Sequence, residues 1–256
     1  MKGLRLLFLP LFGLTCLSLV LRAAEPGGAP AAEHGFLNRT FKGADGREVK
    51  YSVFVPHDYA PDRPVPTILF LHGLGQTGTD GERQARVGIG RAIRERESTF
   101  PFLVVFPQAQ KVRPTIVDTW FPDRPEGARA LAILDEVKKQ FMTDPKRTYL
   151  TGLSMGGFGT WAMAAAFPDR WAAIAPVCGG YDPSSVEKVK DIPCWCFHGD
   201  RDTAVKVDQS RRLVSALKRL GVAPEYTEYE GVGHNCWDRA YSTDKLYEWL
   251  LQHHLK

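Results

Sequence analysis

The sequence predicts one α/β domain built on a mostly parallel sheet with helices on both faces. Short apolar or β-branched runs alternate along the chain with amphipathic stretches of helical length. The central runs, such as "PTILFLHG" and "WAAIAPVCG", are apolar nearly throughout, as strands covered on both sides must be. Beyond a short Gly/Pro/Ala linker, no repeat, low-complexity tract or change of composition divides the 256 residues into two domains.

The chain opens with Lys2 and Arg5, an apolar run over residues 6–21 and small residues at Ala23 and Ala24. This is the layout of a secretory signal peptide, so residues 1–24 are expected to be removed and the protein to be secreted or periplasmic. A retained anchor fits less well, because the run is shorter than the roughly 20 residues of a membrane span and contains Pro10. Cys16 follows Thr15, a poor context for a lipoprotein site. Residues 25–44 form a linker and N-terminal segment, and residues 45–256 the folded domain.

Within that domain the expected strands are "REVKYSVFVP", "PTILFLHG", "FLVVFPQ", "RTYLTGLS", "WAAIAPVCG", "IPCWCFHGD" and "PEYTEYEG". Helices are expected over residues 82–97, 126–141, 156–167, 207–220 and 243–254.

Loss of residues 1–24 removes three cations and no acid, so the formal charge falls from +4 to +1. With both signs scattered and no basic block, neither a nucleic acid nor a membrane surface is an expected partner. Four cysteines remain: Cys178, Cys194, Cys196 and Cys236. Export permits disulfides in any of three full pairings, with buried thiols the alternative. Cys194 and Cys196 share one face of a strand, which makes them awkward partners for each other. A C-x-C without a nearby histidine pair is a poor zinc site, so no metal is expected, and nothing in the sequence calls for a cofactor.

Ligands of an open parallel sheet gather at the carboxyl ends of its strands. Three loops there carry chemistry. Gly152-Leu-Ser154-Met-Gly156 lies between a strand and a helix, the setting of a nucleophile elbow, where glycines permit a sharp turn that pushes the serine hydroxyl outward. A serine needs a base, itself oriented by a carboxylate. "WCFHGDRDTAV" supplies Asp202, with Asp200 and Asp182 as weaker candidates, and "YEGVGHNCW" supplies His234. His34, His57, His253 and His254 lie away from the strand ends, and His198 reads as structural. The third loop, His72-Gly73-Leu74-Gly75, follows an early strand. Its Leu74 N–H and the Met155 N–H are the expected pair of oxyanion donors.

These segments, with "DPKRTYLTGLSMGGFGTWAMAAAFPDRWAAIAPVCGG" and "YTEYEGVGHNCWDRAYSTDKLYEWL", resemble the secreted α/β-hydrolase esterases related to feruloyl esterases, polyhydroxybutyrate depolymerases and dienelactone hydrolases. The branch often labelled "predicted peptidase" is especially similar. The resemblance spans about residues 45–255, and Cys194 and Cys196 depart from it where aliphatic residues are expected. It implies an α/β-hydrolase fold with no large cap, a Ser154, His234 and Asp202 triad, Leu74 and Met155 as oxyanion donors, and hydrolysis of carboxylic esters without metal or cofactor. Trp120 and Phe121, in "RPTIVDTWFPD", and Trp237 beside the histidine are candidate walls of a shallow pocket for phenolic or sugar esters, small or linked to a polysaccharide. A peptidase, an acyltransferase and a non-catalytic binding module on the same fold remain open, as does the oligomeric state.

Overall fold

The computed structural model describes residues 33–110 and 116–256. The expected signal peptide, and the linker up to residue 32, lie outside the described residues. An eight-stranded sheet forms the centre, from β1 (Gly35–Lys42), β2 (Glu48–Val55), β3 (Val65–Leu71), β4 (Leu103–Phe106), β5 (Thr143–Leu153), β6 (Ala173–Val177), β7 (Trp195–Gly199) and β8 (Glu225–Tyr229), in the order β1-β2-β4-β3-β5-β6-β7-β8. β2 pairs antiparallel with both β1 and β4, and every other pairing is parallel.

The α-helices are α1 (Ile89–Arg94), α2 (Pro125–Gln140), α3 (Met155–Ala166), α4 (Asp208–Arg219), α5 (Trp237–Ser242) and α6 (Asp244–Gln252). Alternation along the strands sorts the core into two layers. Leu69 and Leu71 of β3 face a cluster with Leu134 and Val137 of α2, Trp161 of α3 and Leu213 and Leu217 of α4. Ile68 and Phe70 face the other way, toward Ile89 and Ile93 of α1, Tyr241 of α5 and Leu246 and Leu250 of α6. α2 begins on Pro125, carries Glu126 in its first turn and ends with Lys138 and Lys139, charges that suit the helix dipole at each end. α3 buries ten of its twelve residues, which suits a helix laid over the middle of the sheet.

Three elements differ from expectation. β1 lies in the stretch assigned to the N-terminal segment and pairs along its whole length with β2, so the sheet begins before residue 45. Its partly exposed, polar-rich sequence GFLNRTFK is that of an edge strand, and it lacks the apolar run of its neighbours. The helix expected over residues 82–97 is broken into a 3-10 turn at Arg83–Arg86, α1, and a second 3-10 turn at Glu97–Thr99. Gly88, at φ 56°, turns the chain between the first two. Ahead of α6, residues 237–242 form the additional short helix α5.

Candidate active site

Ser154 stands between β5 and α3 at φ 52° and ψ −118°. Among the described residues, only Ser154 and Cys178 take a positive φ without being glycine. Such a conformation persists where surrounding structure enforces it. Here the Ser154 N–H is tied to the Val177 carbonyl at 3.0 Å. A Cβ at Gly156 would lie 1.9 Å from the Leu71 carbonyl oxygen, so only glycine lets α3 start against the end of β3. The side chain of Ser154 is left half-buried, facing the loop after β8.

That loop carries His234. Its Nε2 lies 2.8 Å from Ser154 Oγ and its Nδ1 2.7 Å from Asp202 Oδ2. The Asp202 side chain has no solvent exposure, and its Oδ1 accepts the backbone N–H groups of Ala204 and Val205 at 2.9 and 2.8 Å. The turn bearing Asp202 meets the His234 loop backbone to backbone: Arg201 N–H donates to the Val232 carbonyl, and a Cβ at Gly199 would sit 2.3 Å from that oxygen. Asp182 is occupied in its own turn, accepting from Ser184 N–H and Oγ–H. Of the three candidate carboxylates, Asp202 is therefore the one bonded to the imidazole. With Nδ1–H donated to a carboxylate, Nε2 is left as an acceptor that can take the Ser154 proton.

The glycine loop after β3 lies against this serine: a Cβ at Gly73 would be 3.5 Å from Ser154 Cβ. Leu74 opens a 3-10 turn and is 44% exposed, while the Met155 side chain is buried at the start of α3. His72, which the sequence shows only as part of a turn motif, is the strut of this loop. Its ring is fully buried, with Nδ1 2.6 Å from the Gly73 carbonyl and Nε2 accepting the Ala109 N–H at 3.0 Å. Burial pushes its pKa down to about 4, so the ring is neutral and Nδ1 is the protonated nitrogen.

Of the three aromatic candidates, the structure brings two to the surface near the strand ends. Trp237 is partly exposed, its ring edge-on to His234 at 5.2 Å between centroids. Phe121 is also partly exposed and packs edge-on against Tyr181 at 5.3 Å. Trp120 has no exposed surface. It donates Nε1–H to the His72 carbonyl at 2.9 Å and lies edge-on to the His72 ring, which makes it an anchor beneath the glycine loop instead of a wall in contact with substrate. The four described cysteines are buried free thiols. Cys178 has its sulfur within 4.8 Å of donor atoms of Asp202 and His234. Burial pushes that thiol well up, and the carboxylate and imidazole already bond each other, so the group has the character of packing and not of an open cation site.

The model of the Esterase family matches residues 43–252. The chain belongs to this esterase family. Among curated esterase relatives, it is 32% identical over 174 residues to poly(3-hydroxyalkanoate) depolymerase C of Paucimonas lemoignei, covering 65% of this chain and 40% of that protein. It is 30% identical over 166 residues to the bifunctional acetylxylan esterase/xylanase XynS20E of Neocallimastix patriciarum, covering 64% of this chain and 22% of that one. The chain thus spans well under half the length of these two relatives. Among solved structures, a thermostable esterase superposes with a TM-score of 0.76 at 35% identity, over 86% of this chain and 63% of the other. The fold is that of the α/β-hydrolase esterases, with an open, mostly parallel sheet.

Proposed function

We propose that this esterase-family chain is an exported serine carboxylesterase in which Ser154 is the nucleophile, His234 the general base and Asp202 the orienting acid. The observation that carries the reading is the continuous contact from Asp202 Oδ2 through both His234 nitrogens to Ser154 Oγ, at 2.7 and 2.8 Å. His234 removes the serine proton as Oγ attacks the ester carbonyl. The N–H groups of Met155 and Leu74 receive the oxyanion, each contributing on the order of 3 to 4 kcal/mol to lowering the barrier. Protonated His234 then gives its proton to the departing alcohol. Water enters, loses a proton to the same nitrogen as it attacks the acyl carbon, and the bond to Ser154 Oγ breaks as His234 returns that proton to Oγ, releasing the acid, so no metal or cofactor is required.

The substrate we infer is a phenolic or sugar ester, small or linked to a polymer. Support comes from the half-exposed serine, the aromatic edge of Trp237 beside the base, and the exposed Leu74 at the glycine loop. The names of two relatives, a polyhydroxyalkanoate depolymerase and an acetylxylan esterase, are those of enzymes acting on polymer-borne esters. Export rests on the first 24 residues.

The test is a panel of nitrophenyl, hydroxycinnamoyl and acetyl-sugar esters run against wild type and Ser154→Ala. The expected outcome is a fall in kcat of about 10⁴-fold or more for every ester that wild type cleaves. Equal rates in the two proteins defeat the mechanism. Hydrolysis of nitrophenyl esters with none of the hydroxycinnamoyl or acetyl-sugar esters keeps the triad and removes the proposed substrate class.

A further inference from the structure

One carboxylate in this molecule serves two imidazoles. Asp202 Oδ2 receives His234 Nδ1 at 2.7 Å and lies 3.2 Å from Nε2 of His198, four residues earlier at the end of β7. His198 is fully buried. Its Nε2 is also 2.9 Å from the Val205 carbonyl, and its Nδ1 is 2.7 Å from Ser210 Oγ on α4. Both neighbours of Nε2 are acceptors, so that nitrogen must carry the ring proton. Burial pushes the His198 imidazole below its ordinary pKa and keeps it neutral, which leaves Nδ1 to accept the Ser210 hydroxyl.

We propose that His198 is a positioning residue of the hydrolytic site, its Nε2–H shared between the Asp202 carboxylate and the Val205 carbonyl so that both ends of the acid-bearing turn are tied to one rigid ring. The inference rests on the Ser154, His234 and Asp202 reading. Asp202 then has four N–H neighbours: Ala204 and Val205 on Oδ1, His234 and His198 on Oδ2. The neutrality of the fourth is essential. A lysine or arginine at that place would cancel the negative charge that must stabilise His234 once it is protonated, whereas a neutral N–H orients the oxygen and leaves the charge.

The ionisable surroundings come from four sides. Glu228 of β8 is the register partner of His198 and is itself held by Arg211 of α4. Cys196 precedes His198 on β7, while Cys178 after β6 and Cys236 after β8 lie on the side of Asp202 and His234. Burial pushes the Cys178 thiol well up and that of Cys196 to about 12, which keeps both protonated and without charge beside the two imidazoles.

Two substitutions separate the contacts of this ring. In His198→Gln the amide reaches the position of Nε2 and keeps the donor toward Asp202 while giving up Ser210; in His198→Asn the shorter amide keeps the Ser210 side and gives up Asp202. Both are compared with wild type and Ser154→Ala by pH profiles of kcat and kcat/KM on a nitrophenyl ester, with thermal midpoints measured alongside. We expect His198→Asn to lower kcat about tenfold or more with KM within about twofold, as loss of a supporting hydrogen bond does. Its acid limb should move to higher pH, because a carboxylate with one donor fewer holds a protonated imidazole more tightly. We expect His198→Gln to stay within about threefold of wild-type kcat with an unmoved acid limb. The proposal is overturned if His198→Asn keeps wild-type kcat and pH profile, or if both variants lose activity in step with their thermal midpoints while the acid limb stays in place. If Ser154→Ala is as active as wild type, the triad reading itself has failed; if Ser154→Ala is inactive and His198→Asn is not impaired, only the role of His198 has.

Discussion

Ser154 and Asp202 show how single residues here depend on neighbours whose side chains never meet substrate. Asp202 is held by two backbone N–H groups and two imidazoles in a place without solvent exposure, so its charge and not merely its shape is what His234 meets. Asp202→Asn preserves the size of the side chain but turns an amide N–H toward Nδ1, forcing the imidazole proton onto Nε2, where it can no longer accept from Ser154. The expected result is a fall in kcat of about 10⁴-fold with a thermal midpoint within a few degrees of wild type, read by ester hydrolysis and calorimetry. Ser154 and Asp202 were legible because each lies within three positions of a glycine that the geometry demands, and His234 because it follows a strand end among glycines. Gly199 is required where two turns touch, and the order of serine, acid and histidine follows from which strands end at the same rim. The struts were legible only in part: His198 reads as structural from its place in the acid-bearing turn, but its partners do not, and His72 reads only as part of a turn motif. His72 and His198 act through ring nitrogens whose partners, Ala109 and Ser210, are 37 and 12 positions away, and no local pattern announces them. Trp120 is a candidate pocket wall in the sequence, and only the Nε1–H donated to the His72 carbonyl marks it as an anchor.

At the scale of elements, the junction of β3, β5 and α3 sets the tolerance of the site. Gly152 and Gly156 are stacked so closely that a Cβ on Gly152 would lie 2.4 Å from the Gly156 carbonyl oxygen, and one on Gly156 only 1.9 Å from that of Leu71. Gly156→Ala must therefore push α3 away from the end of β3, moving Ser154 and the His72 to Leu74 loop relative to one another. A loss of stability of about 3 kcal/mol, at the upper end of overpacking costs, should accompany the loss of activity in urea unfolding. Gly75→Ala is the control, since a Cβ there meets nothing within 4 Å and the same unfolding midpoint as wild type is expected. The strands from β2 to β8 and the helices α2, α3 and α4 were readable from periodicity and apolar content. β1 was not, because an edge strand alternates weakly and pays no hydrophobic signature on its open side. The break at Gly88 was also hidden, since a lone glycine inside a helical pattern reads as tolerated until its positive φ is known.

For the whole molecule, buried neutral histidines tie folding to pH. His72 titrates near 4 in the folded protein against 6.5 when unfolded, and His198 is shifted in the same direction by burial. Between these values the unfolded chain binds more protons than the native one. The contribution is complete above pH 6.5 and is lost progressively as pH falls toward 4, with His72 alone accounting for about 3 kcal/mol. Urea midpoints measured at pH 7 and pH 4.5 should show this decline, and His72→Gln should show a shallower one. A midpoint that stays constant over that interval would mean that His72 binds its proton equally well in the native and the unfolded protein.

The loop that reaches the serine follows β8, a strand at the margin of the sheet that hydrogen-bonds, among the described residues, to β7 alone. During synthesis the elbow at residue 154 emerges long before residue 234 exists to meet it. Under the proposed mechanism a chain without β8 in place is therefore chemically silent, its hydroxyl no more reactive than any other serine.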